Sequence, residues 1–313
     1  MKTFFKILFA CCFAALFALP VHARGQRDEA APLRIGILPD ADSLPLMVAR
    51  DRGFFQAEGA QVELVMFSNP NERDAALQAG RIDGAISDLL AAAFFVAAGF
   101  DVRITSLTNG RYGIVAAPDS GVASLADLHG RRIALSPNTI IQYTVDAQLA
   151  GAGVPMSEYE AVAVPNILLR LEMVLNGLVD AAGLPEPLLT AAVAQGARLL
   201  STTETTGIDA GVLLFSRAAL DSRLADVQAF YRAYYRAARE INANPDAFRD
   251  FLVAQAGFPA AVRDTFQFVT YTSPALPEEA QVTRTLAWLR DRGLLTASLS
   301  FADLTDPRAI AGN

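Results

Sequence analysis

Short apolar or alternating stretches, typical of strands, alternate along this chain with stretches of helical periodicity. Strands are predicted at 33–38, 61–67, 84–87, 102–107, 112–117, 132–135, 159–164, 181–184, 198–200 and 209–215. Helices are predicted at 44–51, 71–79, 88–98, 139–150, 188–194, 224–244, 245–256, 259–268 and 278–290. Because strands that alternate with helices build parallel or mixed doubly wound sheets, the pattern predicts an α/β fold.

One sequence pattern occurs twice in the chain, as ERDAALQAGRIDGAISD at 72–88 and as RLEMVLNGLVDAAGLPEP at 170–187. Each copy predicts a helix closed by a glycine and followed by a short buried strand of small residues. The repeated arginine, glycine and aspartate are expected to shape this unit, with the two arginines anchoring helix surfaces. Because ligands gather beyond the carboxyl ends of strands, the two strand ends predict one cleft between two similar lobes. The paired positions are Arg73 and Arg170, Gly80 and Gly177, and Asp83 and Asp180.

The predicted strands near 112–117 and 210–215 bracket the second half of the pattern. If both cross between the lobes, they form a two-strand hinge. The first lobe is then discontinuous, comprising residues 33–115 and 210–313, and the second lobe comprises residues 116–209. The helices at the end of the chain are expected to return to the first lobe.

The first 23 residues have the pattern of a signal peptide: Lys2 and Lys6, an apolar run, and a small residue at Ala23. Cleavage near Ala23 predicts an extracytoplasmic protein, and a lipid anchor at Cys11 or Cys12 is the alternative. The charge of 26 basic and 33 acidic residues becomes 24 and 33, or −9, once both lysines are removed. Such an acidic chain is a poor match for nucleic acid.

The same cleavage removes both cysteines and His22, which leaves His129 as the single histidine. This count excludes disulfide frameworks, thiol catalysis and Cys/His zinc sites. His129 lies in a predicted loop and is assigned no role. We therefore expect no metal and no cofactor.

Several motifs in order resemble the substrate-binding proteins of ABC importers, in particular the nitrate/sulfonate/taurine and thiamine-pyrimidine-precursor family. They are Asp42-Ser-Leu-Pro45, then Gly53-Phe-Phe55 with Glu58-Gly59, and further matches at 79–85, 126–134, 177–182 and 185–187. The resemblance implies the type II periplasmic-binding fold, a periplasmic monomer that binds a small molecule, and an ABC permease as partner. The family also contains pyrimidine-precursor synthases that depend on a pocket histidine and a cysteine cluster. This sequence has neither, so the resemblance favours a binding protein over an enzyme.

Eleven residues are candidate ligand contacts because they lie at strand ends or at the crossovers between lobes. Most have an alternative role as helix caps, because Asp, Ser, Asn and Thr bond free backbone amides there. Arg111 suits an anion and Tyr112 a planar ligand, whereas Glu186 is held on a stiff turn between two prolines. The candidates are Asp40, Asp42, Ser43, Ser87, Asp88, Arg111, Tyr112, Asn138, Thr139, Glu186 and Asp209.

Among these candidates the carboxylates outnumber Arg111, whereas a sulfonate or nitrate site should be rich in arginine or amide donors. The charge balance therefore favours an amino-bearing heterocycle such as a thiamine pyrimidine precursor. A sulfonate-, taurine- or riboflavin-type binding protein of the same fold is the first alternative. A pyrimidine-precursor synthase is the alternative from a different class, and it would need an acid/base or nucleophile/base pair.

Overall fold

The computed structural model describes residues 31–208 and 210–311. Within them, ten strands form two sheets of five. The strands are β1 Leu33–Ile37, β2 Val62–Met66, β3 Gly84–Asp88, β4 Val102–Leu107, β5 Tyr112–Ala116, β6 Arg132–Leu135, β7 Glu160–Ala163, β8 Ala181–Pro185, β9 Arg198–Thr202 and β10 Gly211–Ser216. The predicted signal peptide, with Cys11 and Cys12, lies outside the described residues.

Helices connect these strands and form most of the C-terminal third of the chain. They are α1 Leu44–Asp51, α2 Phe54–Ala57, α3 Pro70–Gln78, α4 Leu89–Ala97, α5 Ile140–Gly151, α6 Ile167–Leu175, α7 Leu188–Ala194, α8 Thr203–Thr206, α9 Arg217–Ser222, α10 Leu224–Ala243, α11 Arg249–Ala254, α12 Glu279–Asp291 and α13 Phe301–Leu304. Short 3-10 turns lie at Ala41–Ser43, Leu125–Leu128, Met156–Glu158, Pro245–Phe248, Ala260–Val262 and Pro307–Ala309.

The two sheets have the same construction. The first has the order β2-β1-β3-β10-β4 and the second the order β7-β6-β8-β5-β9. In each, the first three strands run parallel and the fourth is antiparallel to both of its neighbours. The pairing register also corresponds, because Ile35 of β1 faces Gly84 of β3 while Ile133 of β6 faces Ala181 of β8. The predicted α/β fold with two similar lobes is confirmed.

The chain crosses between the sheets just outside the strands that were expected to cross. β5 lies wholly in the second sheet and β10 wholly in the first. The first crossover is therefore residues 108–111, between β4 and β5, and the second lies after α8, between β9 and β10. Ladder hydrogen bonds within one sheet fix each of these strands, so the connections between the strands are what link the two sheets.

Of the C-terminal helices, α10, α12 and α13 contact elements of the first lobe, whereas the turn at Ala260–Val262 contacts α7 of the second lobe. α10 buries Phe230 and Tyr231 against Phe215 of β10, and Phe230 stacks on Phe55 of α2 with ring centroids 5.7 Å apart. The Tyr231 hydroxyl also pairs with Thr105 Oγ1 of β4 at 2.6 Å. A face of buried aromatic rings gives a large apolar contact with specific geometry, which fixes this helix on the sheet.

The helix predicted over residues 259–268 is wrong, because only Ala260–Val262 form a helical turn there. The apolar spacing of Phe258, Val262 and Phe266 imitates a helix, and all three side chains are buried. The backbone carbonyls of Arg263 and Phe266, however, accept hydrogen bonds from the Arg249 side chain at 3.1 and 3.3 Å. A side-chain donor thus satisfies groups that a helix would pair internally.

Candidate functional site: a cleft between the two lobes

Three predicted contact residues begin helices or turns at the ends of strands. Asp40 Oδ1 accepts from the backbone nitrogen of Ser43 at 3.0 Å and from its hydroxyl at 2.8 Å. Asp88 caps α4 through Ala91 N at 2.8 Å, and Thr139 caps α5 through Ile141 N at 3.2 Å. The capping interpretation is therefore confirmed for all three, because each oxygen satisfies amides that lack a helical partner.

Asp88 also joins the two lobes. Its second oxygen, Oδ2, accepts a hydrogen bond from Ile140 N at the start of α5, at 3.1 Å. Burial raises the pKa of Asp88, while Arg73 and these amides oppose that shift. Both oxygens are thus engaged by backbone donors of different lobes, which places the ends of β3 and of β6 beside each other.

The strand ends of both lobes line a small cavity of about 30 Å³ with mixed polar and apolar walls, called here the cleft cavity. A groove of about 590 Å³ shares Asp88 and Thr139 with it and is also lined by Asn138. A space of about 30 Å³ admits little more than a water molecule. The lobes must therefore separate before a larger ligand can enter the cleft cavity. Its polar and aromatic lining comprises Asp40, Arg73, Ser87, Asp88, Tyr112, Thr139 and Arg170.

The two repeated arginines line the cleft cavity, contrary to the expectation that they anchor helix surfaces. They are 3% and 1% exposed. Arg73 Nη1 donates to Ile86 O of β3 at 2.9 Å, and Arg170 Nε donates to Gly183 O of β8 at 2.7 Å. In both copies the arginine thus bonds the strand 13 residues further on. The fork of donors on a guanidinium can fasten a helix to a strand and still present N–H groups to the cavity.

The two arginines differ in their electrostatic surroundings. Arg73 forms an ion pair with Asp74 at 2.7 Å. Arg170 forms no ion pair among the described residues and donates its second bond, from Nη1, to Val164 O at 2.7 Å. Burial without a neighbouring carboxylate lowers the pKa of Arg170 to about 9. An acceptor or anion in the cleft cavity would therefore relieve an uncompensated buried charge.

Asp40 and Ser87 also offer hydrogen-bonding groups to the cleft cavity. Burial, with the neighbouring Asp42 carboxylate, raises the pKa of Asp40 to about 8. Both hydrogen bonds to Asp40 fall on Oδ1, so that among the described residues Oδ2 remains for a ligand. The buried Ser87 hydroxyl has no hydrogen-bond partner in the described structure. Buried polar groups in proteins are almost always paired, which makes Ser87 a candidate ligand contact.

Asp42 and Ser43 lie behind the cleft cavity and do not line it. Asp42 accepts hydrogen bonds from Thr108, at the first crossover, and from the Tyr112 hydroxyl at 2.7 Å. A Cβ on Gly110 would lie 2.0 Å from Asp42 Oδ2, so only glycine fits the crossover there. Asp42 therefore fixes the path of the chain between the lobes, a role that the sequence did not predict.

Arg111 and Glu186 line a different cavity, together with residues of α7 and β9. Arg111 Nη1 lies 3.3 Å from Glu186 Oε1, and Thr190 of α7 donates to both carboxylate oxygens of Glu186 at 3.1 Å. Successive residues of an extended chain point to opposite faces. Pro185 therefore lines the cleft cavity, whereas the next residue, Glu186, lines the other cavity. Of the remaining candidates, Asp209 lies outside the described residues.

Arg73 and Arg170 are the charged residues of the cleft cavity that were not predicted as contacts. The available signal was the recurrence of an arginine at the same place in both copies of the repeat. His129 is 67% exposed and pairs with Glu158, away from the cleft. No group of His, Cys, Asp and Glu in the described residues could hold a metal ion. None of the helices described is both long and apolar enough to cross a membrane.

Two lobes of equal topology, with strand ends that meet across a polar cleft, define the two-lobed periplasmic-binding fold. A family model described as NMT1/THI5 like matches residues 40–248, more than half of the 313 residues. The chain belongs to this family.

Solved structures with this fold resemble the chain closely in backbone and weakly in sequence. The alkanesulfonate-binding protein SsuA of Xanthomonas axonopodis pv. citri, bound to MOPS, is 23% identical with a TM-score of 0.75, covering 87% of this chain and 96% of that one. The ligand-binding component of an ABC-type import system from Staphylococcus aureus, with zinc bound, is 15% identical with a TM-score of 0.76, covering 90% and 98%.

A curated relative carries the name of an enzyme. The 4-amino-5-hydroxymethyl-2-methylpyrimidine phosphate synthase of Schizosaccharomyces pombe is 27% identical over 92 residues, or 29% of this chain. The match spans 27% of that enzyme's length.

Proposed function

We propose that this protein is the substrate-binding component of an ABC importer, which captures a small polar nutrient between its lobes and delivers it to the permease. The observation that carries the proposal is the cleft cavity, where the strand ends of two lobes of equal topology present Arg73, Arg170, Asp40 and Ser87 to one point. A ligand that contacts both lobes stabilises the closed arrangement, and release requires the lobes to separate. The protein acts outside the cytoplasm as a monomer.

The ligand we propose first is an amino-bearing heterocycle such as a thiamine pyrimidine precursor. Oδ2 of Asp40 supports this choice, because neither hydrogen bond to Asp40 uses this oxygen and an exocyclic amine can donate to it. The Tyr112 ring, which also lines the cleft cavity, suits a planar partner. The excess of acidic candidates in the sequence gives only weak support for this ligand. Asp42 and Glu186 do not line the cleft cavity, and Asp88 is bonded to backbone amides.

An alkanesulfonate is the second candidate, and Arg170 favours it. A guanidinium without a carboxylate partner matches a sulfonate group, which accepts several hydrogen bonds at once. The structural neighbours that bind sulfonates share the fold at low sequence identity, so the ligand must be decided by binding measurements.

Paired variants at the cleft distinguish the two ligands. In calorimetric titrations, Asp40→Asn should weaken aminopyrimidine binding about tenfold or more and leave an alkanesulfonate nearly unaffected. Arg170→Lys should do the reverse, because lysine loses the fork of donors. His129→Ala, an exposed change on the surface, is the control. If neither class of ligand binds the wild-type protein, the ligand proposal fails.

We infer binding without chemical conversion. Neither the cleft cavity nor the groove beside it is lined by histidine or cysteine among the described residues, so no nucleophile or base of the kind expected for a synthase lies there. Mass spectrometry of the ligand recovered after long incubation should return it unchanged. A product formed by the wild-type protein and lost in Asp40→Asn would overturn the inference.

A further inference from the structure

The cavity that contains Arg111 and Glu186, called here the α7 cavity, is distinct from the cleft. It occupies about 400 Å³ between α7, β9 and the segment around Gln267, and it shares no lining residue with the cleft cavity. That volume lies within the usual range of small-molecule sites. The α7 cavity is therefore large enough for a ligand of its own in the structure as it stands.

One wall of the α7 cavity is apolar. Leu189 and Val193 of α7 and Leu199 of β9 line it together. Val193 and Leu199 are 44% and 47% exposed, although they are large apolar side chains. Exposed apolar side chains that line one concave surface mark a place where an apolar partner gains by excluding water.

The α7 cavity also has an excess of negative charge, in the group of charged residues around Arg111. Arg111 lies between two carboxylates, with Nη1 3.3 Å from Glu186 Oε1 and Nη2 2.8 Å from Glu204 Oε1. One guanidinium thus faces two acids. Glu186 is buried, whereas the side chain of Glu204 is 59% exposed and open to a partner. A cation placed beside Glu204 would balance the charge of the group.

We propose that the α7 cavity is a second binding site, for a small amine with an apolar body. The ammonium group binds Glu204, with the Thr190 hydroxyl nearby, and the apolar body lies against Leu189, Val193 and Leu199. This site is distinct from the one proposed for the nutrient, because the two cavities share no lining residue.

Hexylamine and 1-hexanol, titrated into the full-length protein by calorimetry, test the charge and the apolar wall separately. Hexylamine should bind the wild-type protein about tenfold more tightly than 1-hexanol, because only the amine forms the charge-assisted bond. Glu204→Gln should reduce that preference to about twofold or less. Val193→Trp, which fills the cavity from an exposed position, should weaken both probes about tenfold.

The controls separate this site from the cleft and from adsorption to the surface. Leu178→Trp changes another exposed leucine, 57% exposed and outside the α7 cavity, and should bind hexylamine like the wild type. Asp40→Asn should also leave hexylamine binding unchanged. Loss of hexylamine binding in Asp40→Asn with retention in Val193→Trp would place the amine in the cleft and overturn the proposal. Equal binding by the wild type, Val193→Trp and Glu204→Gln would overturn it as well, whatever the cleft binds.

Discussion

At the scale of single residues, the cleft is made by side chains that hold the backbone and face the ligand space at the same time. Asp40 caps a turn with Oδ1, and Arg170 fastens α6 to β8 with Nε, yet both line the cleft cavity. At Asp40, capping and ligand contact are compatible, because a carboxyl group has two oxygens. The Arg170 guanidinium likewise has enough N–H groups to bond a strand and a ligand. The rigid backbone contacts hold the remaining atoms in place before a ligand arrives.

The pH dependence of stability should reveal the buried carboxyl of Asp40. Burial, together with Asp42, raises the folded pKa from 3.8 to about 8, so the folded state binds the proton more tightly than the unfolded state does. Its contribution is therefore present at low pH and is lost as the pH rises from about 4 towards 8, by up to about 1.4 kcal/mol per pH unit.

Asp40→Asn removes this titration and keeps a capping side chain. In urea titrations, the free energy of unfolding of Asp40→Asn relative to the wild type should increase from pH 5 to pH 8. Because Asp40 and Asp42 raise each other's pKa, the difference reports the pair, whereas buried acids that do not touch this pair titrate alike in both proteins. A difference that does not change with pH would show that Asp40 keeps an ordinary pKa.

At the scale of elements, the duplicated stretch is a structural unit whose aspartate joins two strands. Asp83 Oδ2 accepts from Arg34 N of β1 at 2.8 Å, and Asp180 Oδ2 accepts from Arg132 N of β6 at 2.9 Å. The prediction that the repeated aspartates shape the helix–turn–strand unit is confirmed. The repeated glycines, Gly80 and Gly177, have φ values of +64° and +65°, as the predicted helix ends require.

We expect equal effects from equivalent positions of the repeat. Asp83→Ala and Asp180→Ala should each lower the free energy of unfolding by about 1–2 kcal/mol, because each leaves a strand amide without its acceptor. The two losses should add in the double variant, since the residues belong to different sheets. Urea titrations measure the losses, with exposed Glu160→Ala as control. A negligible effect of one substitution would contradict the structural equivalence of the copies.

At the scale of the whole molecule, the lobes also meet at a contact formed by α5 and α12. Tyr143 of α5 packs edge-on against Trp288 of α12, with ring centroids 5.4 Å apart. Next to it, Arg292 pairs with Asp146 of α5 at 2.5 Å and lies over the Trp288 ring. α12 packs on α4 of the first lobe and α5 on β5 and β8 of the second, so this contact has to break when the lobes separate.

Trp288 is the single tryptophan of the chain and should report the opening of the cleft. A saturating ligand should hold Tyr143 against Trp288, and its removal should shift the Trp288 emission to longer wavelength as the ring becomes hydrated. Tyr143→Ala should abolish most of this shift and change ligand affinity by less than about threefold. An emission spectrum that does not respond to a bound ligand would argue against separation of the lobes at this contact.

The sequence alone determined the fold class and the internal duplication. Strand and helix periodicity, the glycines that end the repeat helices and the aspartates that follow them are local signals, so they can be read without knowledge of distant contacts. The predicted helix over 259–268 is absent although its apolar spacing fits one, and Arg249 bonds two carbonyls of that segment. Periodicity does not reveal such a contact.

Only the tertiary structure decided which candidates share a cavity. Of the eleven, Asp40, Ser87, Asp88, Tyr112 and Thr139 line the cleft cavity, Asn138 lines the groove, and Arg111 and Glu186 line the α7 cavity. The direction of a side chain at a strand end depends on where the strand stops and on the sheet it joins, and a shift of one residue moves it to the opposite face. The sequence therefore located the ends of the strands, while the pairing of strands into two sheets determined which side chains meet between the lobes.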